Sequence, residues 1–202
     1  MLFTLATFNR DKVREFNRLF EGSEIEFMGI SEFPGASVPS ETGTSLVENA
    51  RLKAEAAMRV AAMPAISDDT GLEVDALGGR PGVRSARYAG PEAQDKDNVR
   101  VVLEQMQGVA HEKRGARFRT VLVACFPRGR EIIAEGVLEG RIAIKPVGTQ
   151  GFGYDSIFEL PGEARTLAEL SLDEKNLISH RSRAVEALIQ QLWARERPNT
   201  TL

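Results

Sequence analysis

The chain is predicted to fold as a mixed α/β protein, a β-sheet flanked by helices. In its first half, short apolar runs alternate with stretches of helical periodicity, the pattern of strands separated by helices. Between Phe118 and Ile144, strand-like runs instead follow one another with no helix between them, which adds an antiparallel portion and makes the sheet mixed. With 202 residues, 42% of them hydrophobic and 27% charged, the chain is long enough and apolar enough to bury a core without disulfide or metal staples.

Residues 2–7 are an apolar strand candidate, and Val13, Phe16 and Phe20 then recur at helical spacing. Thr7, Asn9 and Lys12 therefore lie in a strand-to-helix loop. Such a loop turns backbone amides and the positive helix end outward, and a hydroxyl, an amide and an ammonium make an anion-binding set. An asparagine cap beside a surface lysine explains the same residues. Residues 21–39 read as loop and strand, with Ile25 and Phe27 alternating with acids before Pro34, Gly35 and Pro39 interrupt. Ser45 and Glu48 have capping-box spacing, and the alanine-rich residues up to 63 continue as a long helix. Its apolar stripe of Leu46, Ala50 and Ala57 contains one charge, Lys53, which either snorkels to the edge or serves an acid or a phosphate.

Ala65 and Ile66 suit a buried strand that Ser67, Asp68, Asp69, Thr70 and Gly71 end as turn formers, before Leu72 and Val74 resume alternation. Two adjacent carboxylates at a strand end repel unless something positive is shared, and a hard cation such as Mg²⁺ prefers oxygen ligands. A solvated turn is the plainer reading. After a Gly/Pro-rich loop, a helix starts near Asp95 with Val99, Val102, Leu103 and Met106 as its stripe. Residues 118–126 are the strongest strand signal, residues 127–130 suggest a hairpin turn, and residues 140–144 read as a third strand.

Gly148, Gly151 and Gly153 with Phe152, Tyr154 and Asp155 form a loop where backbone approaches something closely and an aromatic ring can stack on a flat ligand; an aromatic-anchored turn is the alternative. Lys175, Ser179, His180 and Arg181 fall where a short helix gives way to a longer one with Ala184, Val185, Leu188 and Leu192 on its stripe. Basic residues in a helix's first turn oppose the dipole unless an acid or ligand compensates. Residues 195–202 read as a frayed tail.

A net charge of -3 gives no overall pull toward nucleic acid polymers or anionic lipid. A single cysteine, no leader-like segment and no long apolar run point to the cytoplasm.

Five segments together resemble the inosine triphosphate pyrophosphatase family: Thr7-x-Asn9-x-x-Lys12, Glu41 with Lys53, Ser67 to Gly90, Gly151 to Asp155, and Glu174 to Arg181. The resemblance spans nearly the whole chain. It implies hydrolysis of non-standard purine nucleoside triphosphates (ITP, dITP, XTP) to monophosphate and pyrophosphate. It also implies an elongated fold of two lobes with a central nucleotide-binding cleft, a single domain over residues 1–197, and a homodimer. Thr7, Asn9, Lys12, Lys53 and Thr70 would meet the triphosphate. Glu41 and Asp69 would hold Mg²⁺, and Asp68 or Asp69 would help activate water. Phe152, Gly153, Tyr154, Asp155, Lys175, Ser179, His180 and Arg181 would hold the base. Phe8, Asp11, Val147 and Ser156 depart from residues frequent in the family. A pyrophosphatase for other modified nucleotides and a non-catalytic nucleotide sensor are the rivals, and the sensor would not need Glu41, Asp68 and Asp69 together.

Overall fold

In chain order, the computed structural model has β1 (Leu2–Leu5), α1 (Arg10–Leu19), β2 (Glu26–Gly29), α2 (Leu46–Ala61), β3 (Ala65–Val74) and β4 (Pro81–Gly82). It continues with α3 (Asp95–Gln105), β5 (Gly115–Cys125), β6 (Glu131–Ile142), β7 (Phe158–Glu159), α4 (Leu172–Ile178) and α5 (His180–Ala194). Residues 1–37 and 39–194 are described; the tail expected at residues 195–202 lies outside them.

The strands order as β2-β1-β3-β5-β6-β7, with β4 added to β3. β1 pairs in parallel with β2 and β3, because a helix separates each of these strands from the next in sequence. β3 with β4 and β6 with β7 are antiparallel, so the sheet is mixed. No helix among the described residues is long and apolar enough to cross a membrane.

The chain divides into two compact units. One comprises Met1–Asp69, Thr120–Gly136 and Arg181 onward; the other comprises Thr70–Arg119 and Val137–His180. Each has its own apolar core. In the first, Phe16 of α1 and Phe20 just beyond its end pack with Phe3, Leu5, Ile66, Leu122 and the α5 stripe (Ala184, Val185, Leu188, Leu192). In the second, Val99 and Val102 of α3 and Met106, which caps its C-terminus, pack with Leu72, Phe118, Ile142, Ile157, Phe158 and Leu167.

Two elements differ from the expectation. Residues 131–142 form one long strand, so the third strand expected at 140–144 is the end of β6; Ala134 and Gly136 hold inward positions of its alternation, and such small residues give a weak apolar signal. β3 likewise runs unbroken through the stretch expected to turn. Ser and Asp form turns when their side chains bond nearby backbone, and here cations from other elements take the carboxylates instead.

The α2 start is capped as its spacing predicts. Ser45 Oγ accepts from Glu48 N at 3.2 Å, while the Glu48 carboxylate accepts from Thr44 N at 2.6 Å, one residue farther back than in a standard box. Removing the cap hydroxyl with Ser45→Ala is expected to cost about 1 kcal/mol, read as a fall of roughly 2–4 °C in Tm with kcat unchanged.

Candidate active site

The first unit gathers the charged residues singled out above around β3. Successive strand residues point to opposite faces, so Asp68 and Asp69 do not share one cation, contrary to the turn-based expectation. Each is buried and each meets its own lysine.

On one face, Asp68 Oδ2 accepts from Lys12 Nζ at 2.8 Å and lies 3.6 Å from Arg181 Nε. Arg181 is 1% exposed, and its Nη1 donates to Glu15 Oε2 at 2.6 Å. This acid resolves the problem of a basic residue in the first turn of α5. Burial alone would raise the Asp68 pKa, but Lys12, Arg181 and Lys53 together outweigh it and hold the carboxyl well below the usual range. On the other face, Lys53 Nζ donates to Asp69 Oδ1 at 2.7 Å and to Glu41 Oε1 at 3.2 Å. Asp69 is raised above its ordinary value, chiefly by burial and also by Glu41, against the opposing pull of Lys53. Lys53 therefore serves acids rather than reaching for bulk water. In the loop after β1, Thr7 Oγ1 accepts from Asn9 N at 3.1 Å and Asn9 Oδ1 accepts from Lys12 N at 3.2 Å, so the asparagine caps α1 and aims Lys12 from its first turn.

Glu41 and Asp69 thus converge on a single point with one oxygen each, a donor set of hard oxygens that suits Mg²⁺. Among the described residues, no three of His, Cys, Asp and Glu come together as a metal cage. Two protein carboxylates fit Mg²⁺ bound as it usually is, with waters and substrate phosphate filling its remaining positions.

In the second unit, Thr70 continues β3, partly exposed. Lys175 Nζ donates to Asp155 Oδ2 at 2.9 Å and lies 4.9 Å from the centre of the half-buried Phe152 ring. Asp155 Oδ2 also accepts from Phe152 N at 3.0 Å, and Gly153 N donates to Asp95 Oδ2 at 2.7 Å. A Cβ on Gly151, whose φ is +76°, would stand 2.1 Å from Asp155 Oδ2, so the backbone approaches a carboxylate of its own chain. Tyr154 belongs to the core and donates to the Ser85 carbonyl at 2.8 Å. Ser179 ends α4 and is fully buried, and the His180 ring stacks on Phe118 at 4.8 Å.

The sequence reading missed two members of the cluster. Glu15 lies one turn from Lys12 and beside Phe16, a helical position that gives the only local hint of burial. Asn49, one turn before Lys53, places Nδ2 3.5 Å from Asp69 Oδ2.

Mixed sheet and buried cluster define an α/β protein with a carboxylate–lysine centre, the donor set that phosphoanhydride chemistry uses. The chain belongs to the Ham1 family, whose profile matches residues 3–191. It is 48% identical over 187 residues to a dITP/XTP pyrophosphatase of Geobacillus kaustophilus, covering 93% of this chain and 92% of that protein. To the dITP/XTP pyrophosphatase of Methylococcus capsulatus it is 49% identical over 196 residues, 94% and 95% of the two chains. The solved HAM1 protein from Coxiella burnetii superposes with a TM-score of 0.84 at 42% identity, covering 96% of this chain and 99% of that one. The Staphylococcus aureus Ham1 protein gives 0.85 at 37% identity, over 97% and 100%.

Proposed function

We infer that this chain hydrolyses the non-standard purine nucleoside triphosphates ITP, dITP and XTP to the monophosphate and pyrophosphate, at the anhydride between the α and β phosphates. The observation that carries the reading is the meeting of two lysines with two adjacent strand carboxylates in a Ham1 family chain. A triphosphate needs cations and amides, its metal needs carboxylates, and the attack is mainly positioning and charge neutralisation. Thr7, Asn9, Lys12, Lys53 and Thr70 take the phosphates, and Glu41 and Asp69 hold Mg²⁺. When bound, Mg²⁺ neutralises phosphate charge and makes a coordinated water more acidic. Asp68 or Asp69 helps activate that water; Asp68, with Lys12 at 2.8 Å and Arg181 at 3.6 Å, stays ionised and fixes both cations.

On the base side, Phe152 supplies the stacking face, Tyr154 anchors the loop from the core, and Gly153, Asp155, Lys175, Ser179 and His180 set the hydrogen-bonding edge. Arg181, at the start of α5, is held by Glu15 and Asp68. The protein works as one domain over residues 1–197, in the cytoplasm and as a homodimer.

Incubation with a panel of triphosphates and Mg²⁺, with pyrophosphate detected separately from phosphate, tests the reading. ITP, dITP and XTP are expected to give the highest kcat/KM. A site that donates to the C6 oxygen meets the adenine amino group with an unpaired donor, so ATP is expected to fall about tenfold to a hundredfold per mismatched contact. Equal rates for ATP and ITP would overturn the selectivity, release of phosphate alone would overturn the bond assignment, and binding without turnover would return the sensor.

A further inference from the structure

Lys53 Nζ occupies the point on which Glu41 and Asp69 converge. It lies 2.7 Å from Asp69 Oδ1 and 3.2 Å from Glu41 Oε1, and the three side chains are 11%, 10% and 27% exposed for Lys53, Asp69 and Glu41. A Mg²⁺ ion needs its oxygens at about 2.0–2.1 Å. An ion on these two oxygens would press against the ammonium and repel it, so both cations cannot use the pair at once.

We propose that Lys53 is a placeholder cation: in the nucleotide-free protein it closes the Glu41–Asp69 metal site, and it moves to phosphate when the triphosphate arrives with its metal. The proposal rests on the reading of Glu41 and Asp69 as metal ligands. It assigns an order of events. Free metal binds poorly, because its affinity is reduced by the fraction of molecules in which Lys53 has left the pair. The metal–triphosphate complex offers the ammonium a phosphate oxygen and the carboxylates a cation in the same step, so exchange leaves no charge uncompensated. Lys12 is the internal comparison, because it pairs with Asp68 on the opposite face of β3.

The test is equilibrium binding of Mn²⁺, followed by electron paramagnetic resonance and calorimetry on the full chain, with and without inorganic tripolyphosphate. Lys53→Met keeps the stem and deletes the charge, and Lys53→Gln serves if the methionine variant does not fold. Without tripolyphosphate, removing the Lys53 charge is expected to tighten Mn²⁺ binding at least tenfold, whereas Lys12→Met changes it less than about threefold. The Lys53 variants should also bind tripolyphosphate more weakly. Unchanged or weaker Mn²⁺ binding in them overturns the placeholder, as does equal tightening by Lys12→Met. The metal reading survives either result if Glu41→Gln and Asp69→Asn abolish Mn²⁺ uptake with tripolyphosphate; if they leave it unchanged, that reading falls and the proposal with it.

Discussion

Asp69→Asn is expected to lower kcat/KM for ITP by roughly 10³-fold while leaving the fold intact. The substitution preserves shape and removes the charge that, with Glu41, faces Lys53 and the proposed metal. The stability side follows from the direction of the pKa shift. Asp69 has a folded-state pKa raised by burial, so folding favours its protonated form. Any stability it contributes is present below the unfolded pKa and is lost as pH rises through the folded value. At neutral pH the ionised, buried carboxylate is therefore a net burden, which a neutral amide does not impose. The amide lifts that burden but also takes from Lys53 its nearest carboxylate, leaving Glu41 at 3.2 Å, so the two effects oppose and Tm of Asp69→Asn at pH 7 should lie close to that of the unsubstituted chain, falling relative to it as pH drops toward the ordinary carboxylate range. Asp68 has the opposite sign: its depressed pKa contributes stability above the unfolded value, lost only in strong acid. Asp68→Asn should then melt lower at pH 7. Calorimetry of both variants across pH, beside steady-state kinetics, checks the contrast; a large loss of Tm in Asp69→Asn with near-normal turnover would make that residue structural.

What the sequence makes legible here is local. Ser45 with Glu48, the α3 and α5 stripes and the charge of Lys53 on an apolar stripe are read over a turn or two of helix, and the structure has each where its spacing puts it. The failures share a cause at longer range. Asp68 and Asp69 carry turn propensity, yet they stay in a strand because Lys12 and Lys53 arrive from α1 and α2. Glu15 reads as a surface acid until Arg181, 166 residues later, is buried against it. No periodicity within α1 contains that partner. The same limit applies to the loop before Asp155: its glycines signal a close approach, but part of what they approach is the loop's own carboxylate.

That carboxylate carries the largest expected effect on stability. Asp155 and Lys175 are each 4% exposed and bonded to one another, and Asp155 also holds the Phe152 amide. Asp155→Ala deletes one partner and leaves a buried ammonium without its carboxylate, a change that costs about 3–5 kcal/mol. In a chain of this length that corresponds to a fall of roughly 10 °C in Tm. Stability and binding can then be separated with a second variant. Replacing both members, as Asp155→Leu with Lys175→Met, removes the uncompensated charge, so most of the lost Tm should return. The loop would still lack the acceptor for Phe152 N and the cation that faces the Phe152 ring. If the pair exists to present that ring and the lysine's remaining donors to a base, KM for ITP stays raised at least tenfold in the stable double variant. A double variant that recovers both Tm and KM would show that the pair only staples α4 to its loop, and base recognition would then fall to Ser179 and His180.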